Sequence, residues 1–413
     1  MALTIEKLND DATFLLAFAP TFAPKKPGRK FPGAFTILID PWLNGDSSIL
    51  HPVFQVSRHT SACALKSLAD LVEQPDLVII SQDKPDHCHR ETLCTLPRNT
   101  ETSILAIPSA AKKIRSWKYF AEDVVHEIKP YHAKQKDTIV RIPLASYTSS
   151  SSKGEITIAN IATRLDMTGL HNAIGITYRP PGSLLTALND ETIDLAELVK
   201  PEGRPKLHKS RSAIKLPTEP ITPMPARVRP RTASSPKPCF LDPQARTQTM
   251  PGRATPPVRE RSDSVMEKQS SRPCKEKALS VIYTPHGIST SALAPYVTSH
   301  LRQDLRQDLP PSSPDFRLTA LLHCMNTEEN PWLLGGMVAN GAPTGVEICK
   351  QLGAKHWVST HDERKDNGGV SVAWLRSTRY GLEDVRKMLD EDDEGKDTRL
   401  HLLDVGRRMR VEG

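Results

Sequence analysis

The sequence predicts a mixed α/β (α+β) domain, interrupted by a long segment with no core of its own. Three observations predict it. Buried apolar runs of strand length recur on both sides of the interruption, and several end abruptly in a polar, ligand-capable residue. Stretches of helical periodicity alternate with those runs. Between the two blocks, residues 200–277 carry 14 prolines, 18 Lys+Arg and 7 Asp+Glu, a local charge of +11.

That local charge decides how the basic composition is read. The whole chain of 413 residues is +7, so the remainder sums to 7 − 11 = −4. Basicity belongs to the insertion, residues 188–277, and predicts no specific nucleic-acid surface on the folded body. Pro, Ser, Thr and Arg dominate there and aromatics are almost absent. Such a composition cannot bury enough apolar surface to offset the entropy of ordering, so disorder is predicted, with a short helix at Ile193 to Val199 on its edge. Residues 1–187 and 278–413 then form a single domain.

In the first block, Phe35 to Ile39 is a short buried strand running into the turn-rich Asp40-Pro-Trp-Leu-Asn-Gly45. Ser61 to Glu73 has helical periodicity through Leu65, Leu68, Leu71 and Val72. The strand Leu77 to Ile80 ends in Ser81, and Arg90 to Leu93 reads as the start of a helix. A strand at Ile104 to Ile107 precedes a helix over Ala110 to Tyr119, with Ser109 as its N-cap. Further strands are predicted at Val124 to Ile128, Thr138 to Ile142, Glu155 to Ala162 and Ala173 to Tyr178. Ile156 and Ile158 alternate with polar residues, which predicts a half-exposed strand.

The second block opens with the strand Leu279 to Tyr283, ending in Thr284-Pro-His286-Gly287. A helix over Ser291 to Leu305, a strand over Leu318 to Leu322 and a Gly- and Asn-rich loop over Asn326 to Gly341 follow. The Gly335 to Gly345 stretch lacks the Gly-Lys-Ser/Thr ending of a phosphate loop. A helix over Thr344 to Leu352 leads to the strand His356 to Ser359, which ends in Thr360-His361-Asp362. A helix over Leu382 to Leu389 and a terminal strand near His401 to Val405 complete the block.

Four strands thus end in Asp40, Asp86-His87, His286 and His361, and His171 sits just before a fifth. A site built on one rim of a sheet produces this repetition. Zinc takes three or four N, O or S ligands, and His and Asp supply them without redox risk. The expectation is that these side chains converge on one pocket.

The window Ser81-Gln82-Asp-Lys84-Pro-Asp86-His87, together with Ile39-Asp-Pro, Thr284-Pro-His286-Gly and Ser359-Thr-His361-Asp, resembles the metallo-β-lactamase-fold hydrolases, in particular their lactonase-like branch. Their signature at the first window is His-x-His-x-Asp-His, feeding two adjacent metal sites. The resemblance spans about residues 1–185 and 278–380 and implies a four-layer αβ/βα sandwich. It places Asp86 and His87 at ligand positions of the second metal site and His361 at the late ligand that completes it. His286 stands where the family has a bridging Asp, and His171 at the third ligand of the first site. Asp40 resembles the early buried Asp that supports the centre without binding metal.

Gln82 and Lys84 replace the first site's two leading histidines. An ammonium beside a dication is unfavourable and Gln is a poor zinc ligand, so the first site is expected to be lost, with Lys84 filling its volume. What remains is one degenerate, mononuclear site on Asp86, His87, His286 and His361, for zinc or manganese. With an open coordination position it implies a hydrolase of an ester, lactone, amide or phosphodiester, in which Asp86 and Lys84 are the catalytic candidates. Closed, it implies a catalytically silent protein with a binding or regulatory role.

Seven cysteines form an odd set without CxxC spacing, and the opening Met1-Ala-Leu-Thr-Ile-Glu-Lys lacks a secretory leader's apolar run. No run of about 18 to 20 apolar residues spans a bilayer. A cytoplasmic protein with free thiols is expected, the nucleus being the alternative. The expected partner is a small-molecule substrate. Ser-Pro and Arg-rich stretches make residues 200–277 a candidate protein-docking or phosphorylation segment.

Overall fold

The computed structural model describes residues 1–20, 23, 31–145, 153–163, 166, 168–181, 278–302, 317–332, 336–391 and 393–412. The chain divides into two units, residues 1–202 with 274–413, and residues 203–273. The expectations for residues 188–277, including the helix at Ile193 to Val199, lie outside the described residues.

Two seven-stranded sheets carry the first unit. The first is built from β1 (Ala2–Lys7), β2 (Phe14–Ala19), β3 (Phe35–Ile39), β6 (Leu77–Ile80), β7 (Ser103–Ala106), β8 (Val125–Glu127) and β20 (Arg408–Glu412), in the order β20-β1-β2-β3-β6-β7-β8. The second is built from β9 (Ile139–Leu144), β10 (Gly154–Ala162), β11 (Asn172–Arg179), β12 (Leu279–Thr284), β13 (Ala320–His323), β16 (His356–Ser359) and β19 (Arg399–His401), in the order β19-β16-β13-β12-β11-β10-β9. Each sheet is antiparallel on one side and parallel on the other. Strands β3, β6, β7 and β8 run parallel in the first, and β12, β13, β16 and β19 in the second.

The parallel halves need crossover connections, and these place helices on the outer faces. Helices α1 (Arg90–Leu93) and α2 (Pro108–Ser116) cover the first sheet through Leu93, Ala110 and Ile114. Helices α3 (Thr290–Tyr296), α4 (Gly341–Leu352) and α5 (Leu382–Asp390) cover the second through Leu293, Ile348 and Val385. A third cluster, including Leu3, Phe14, Ile37, Ile79, Ile156, Ile176 and Val281, lies between the sheets. The result is the four-layer αβ/βα sandwich.

Two three-stranded sheets complete the fold. One joins β4 (Ser47–Ile49), β5 (Gln55–Arg58) and β17 (Asp366–Gly368); the other joins β14 (Thr327–Glu329), β15 (Met337–Asn340) and β18 (Arg376–Thr378). The expected Gly- and Asn-rich loop over 326–341 therefore contains a hairpin, β14 to β15.

Three other expectations change. Ser61 to Glu73 forms only one 3-10 turn, Leu68–Asp70. Side chains there compete for the backbone: Ser67 Oγ accepts from the Ala69 N–H, Asp70 from the Lys66 N–H, and Thr95 Oγ1 from the Leu68 N–H. Helix α2 starts at Pro108 rather than after Ser109, because proline at the first helical position needs no hydrogen-bond partner. Strand β10 is buried on both faces from Gly154 to Ile161. Two of its polar residues are paired: Glu155 with Arg141 (3.0 Å) and Arg179 (2.8 Å), and Thr157 with Thr177 (2.6 Å) and His300 (3.0 Å).

Candidate metal centre

The carboxyl ends of the parallel strands meet along one rim, where ligands bind in sheets of this kind. Asp40 leaves β3, Asp86 and His87 follow β6, His286 follows β12 and His361 follows β16. Asp40 (φ 44°) and His361 (φ 58°) are two of only four non-glycine residues with positive φ among the described residues. Such strain persists where surrounding contacts over-determine it. Here the His361 N–H donates to the Asp11 carbonyl and the Asp40 N–H to the Ile79 carbonyl.

Asp40 is fully buried and accepts from four donors. The Ser81 N–H (2.7 Å) and Oγ (2.5 Å), the Tyr283 hydroxyl (2.7 Å) and His87 Nδ1 (2.8 Å) all reach its carboxylate. Burial and the Asp40 charge push the Tyr283 phenol well up, so it stays a donor. The resemblance assigned Asp40 a supporting role, and this is its geometry.

Three imidazoles converge in front of it. Single ring nitrogens of His87, His286 and His361 lie within 4.8 Å of one another. In each ring Nδ1 faces an acceptor: Asp40 for His87, the Val338 carbonyl (3.0 Å) for His286, and Asp11 (2.9 Å) for His361. Donating Nδ1–H there leaves the three Nε2 lone pairs free, the tautomer that metal-binding histidines adopt. His87 Nε2 and His286 Nε2 stand only 3.1 Å apart. Two lone pairs at that distance repel unless a proton or a cation lies between them. The donor set therefore fits a metal ion.

Burial opposes charge on His87, but the Asp86 and Asp40 carboxylates outweigh it and raise its pKa. Burial, with His361 and His87 alongside, holds His286 well below the ordinary range. Without an ion, the single proton belongs to His87, which donates to His286.

Asp86 faces a cavity of about 240 Å³ lined also by Lys84, His286, His361 and Lys365. Its carboxylate lies 4.0 Å from His87 Nε2. Burial would raise its pKa, yet His87, Lys365 and His361 bring it down to about 2.

The remaining candidates lie elsewhere. Both ring nitrogens of His171 face backbone carbonyls, Gly287 (3.1 Å) and Met337 (3.0 Å), outside the three-histidine group. Gln82 is fully buried and donates to the Leu170 carbonyl (2.8 Å), so the first family ligand position is knitted into the core. Lys84 is partly exposed and pairs with Asp83 (3.2 Å) at the cavity wall, so it does not fill the centre.

A different lysine reaches the centre. Lys365 Nζ lies 2.9 Å from Asp11 and 3.4 Å from Asp86, and 5.5 Å from the centroid of the Trp42 ring. Sequence reasoning missed both Lys365 and Asp11. Asp11 lies in the turn between β1 and β2, shaped by Asn9 Oδ1 accepting from the Asp11 and Thr13 N–H groups. The acidic pair Asp10-Asp11 between two alternating apolar runs was the available signal.

Two face-to-face sheets with helices outside, and a His–Asp group at the carboxyl ends of their parallel strands, make up a four-layer αβ/βα sandwich with its candidate site on the rim. Among solved structures the chain is similar to isothiocyanate hydrolase from Delia radicum gut bacteria, at 12% identity and TM-score 0.46, over 99% of this chain and 100% of that one. A protein described as a possible metal-dependent hydrolase from Veillonella parvula matches at 11% and 0.45, over 99% of each chain. The metallo-β-lactamase fold protein YhfI from Bacillus subtilis matches at 10% and 0.39, also over 99% of each. No family model and no curated protein matches the sequence. Among the described residues, no helix is long and apolar enough to cross a membrane.

Proposed function

We propose that the protein is a metal-dependent hydrolase in which His87, His286 and His361 hold one ion, zinc or manganese, and that its substrate is an ester, lactone, amide or phosphodiester. The observation that carries this reading is that Nδ1 of each of the three histidines faces its own acceptor while one ring nitrogen of each lies within 4.8 Å of the others. An ion bound there supplies Lewis-acid polarisation and makes water acidic enough to attack near neutral pH.

The chain's own groups do the rest. Asp40, Asp11 and the Val338 carbonyl fix the three rings. Asp86, ionised down to about pH 2, accepts a hydrogen bond from water and orients it without retaining its proton. Lys84, on the cavity wall, offers an ammonium to the substrate oxygen that gains charge.

Metal analysis of the full-length protein tests the proposal. Expected are one zinc or manganese ion per chain, a rise in melting temperature on adding zinc, and loss of both in His361→Ala, together with hydrolysis of p-nitrophenyl esters. Protein that stays metal-free after refolding with zinc would overturn it.

One observation favours a second reading, a silent protein of the same fold. Lys365 already pairs with both Asp11 and Asp86 without any ion. In that case chelators leave the melting temperature unchanged in wild type and His361→Ala alike.

A further inference from the structure

Asp11, Asp86 and His361 form a second group with ligand atoms within 4.8 Å of one another. It shares His361 with the first group, so an ion there would be the neighbour of the first. Asp11 is fully buried, with His361 Nδ1 at one carboxylate oxygen and Lys365 Nζ at the other, both at 2.9 Å. Lys365 Nζ also stands 3.4 Å from Asp86 and 3.4 Å from His361 Nδ1. One ammonium thus touches all three members of the group.

We propose that Lys365 is a built-in substitute for a second metal ion, holding Asp11 and Asp86 in position and restricting the centre to a single ion on the three histidines. This rests on the metal-dependent reading above. Other acidic side chains nearby are committed elsewhere. Asp362 accepts from the Met325 and Asn326 N–H groups and from Ser359 Oγ, and Glu363 from Thr60 N–H and His59. Asp11, Asp40 and Asp86 are the carboxylates that face the two groups, and Lys365 sets one positive charge against Asp11 and Asp86. A second dication at Asp11 and Asp86 would stand directly against that ammonium, and like charges at such a distance repel.

The lysine is also placed rigidly. Its side chain is 10% exposed, and it lies over the Trp42 ring, itself fully buried.

The test is metal counting on full-length wild type, Lys365→Met, and the double variant Asp11→Asn/Lys365→Met, each dialysed against zinc alone and manganese alone. Lys365→Met should bind two ions against one in wild type. Its melting temperature should fall below wild type without metal and recover with it, a rescue that a merely structural lysine does not give. The double variant removes a carboxylate of the second group along with the ammonium, so it should bind fewer ions than Lys365→Met and should not need metal for its stability. Two ions in wild type overturn the proposal, as does an unchanged count in Lys365→Met. A metal-free wild type beside a metal-binding Lys365→Met sinks the hydrolase reading while leaving the lysine's role standing.

Discussion

His59 is held by acceptors at both ring nitrogens. Glu363 Oε2 lies 2.6 Å from Nδ1 and the Trp42 carbonyl 3.1 Å from Nε2, while the ring packs against Trp42 with centroids 3.8 Å apart. Satisfying both acceptors requires the imidazolium. Burial works against that charge, but Cys63 and Glu363 outweigh it and push the pKa from 6.5 up to about 10. A folded-state pKa raised in this way contributes stability that is complete below about pH 6.5 and disappears as pH rises through about 10. Wild type should therefore melt above His59→Gln near pH 6.5, and the gap should close toward pH 10.5. A gap independent of pH would show that packing on Trp42, not charge, is what His59 contributes.

The same residue scale sets what was readable in advance. Asp40, Asp86, His87, His286 and His361 stood out because each follows a buried apolar run, and a strand end fixes where a side chain sits. Lys365 carries no such mark. It follows His361 by four residues in a charged loop, and its burial depends on Asp11, about 350 residues away in sequence. Lys84 had the better local context and is the partly exposed one. Local pattern locates strand ends; it does not report which of two lysines finds a buried counter-charge.

At the scale of elements, strands were legible where the apolar run was continuous, as at Leu77–Ile80. Helix periodicity over Ser61 to Glu73 misled because Ser67, Asp70 and Thr95 take the backbone donors that a helix would need. The docking of α3 on the second sheet depends on one position that no periodicity reveals. A Cβ on Gly175 of β11 would lie 2.5 Å from the Tyr296 ring. Tyr296 is itself fully buried, between the sheet and Tyr131. Gly175→Ala should cost about 1–3 kcal/mol, the usual range for overpacking a close-packed interface. Adding Tyr296→Leu should recover part of that cost, since residues in contact couple rather than add. Denaturant melts of the two single variants and the double variant check this, and strict additivity would place the strain elsewhere.

At the scale of the molecule, the position of the insertion follows from strand pairing. Tyr178 of β11 pairs directly with Leu279 of β12 in an antiparallel ladder. The two strands are consecutive in the sheet, where a hairpin connection usually takes two to five residues. Closing a loop of about 100 residues instead of about 8 costs entropy of about 2 kcal/mol, because the penalty grows only with the logarithm of length. Replacing residues 183–277 by a short Gly-containing turn should then raise the melting temperature by a few degrees, with metal content per chain unchanged. The segment carries +11 over residues 200–277, so the shortened chain should also lose most of its attraction to anionic resins and vesicles. Thermal melts, metal analysis and cation-exchange retention of the two proteins check all three outcomes. A melting temperature that drops by several degrees would show that the insertion packs on the sandwich and contributes to its stability, and its charge would then have to be counted with the folded body.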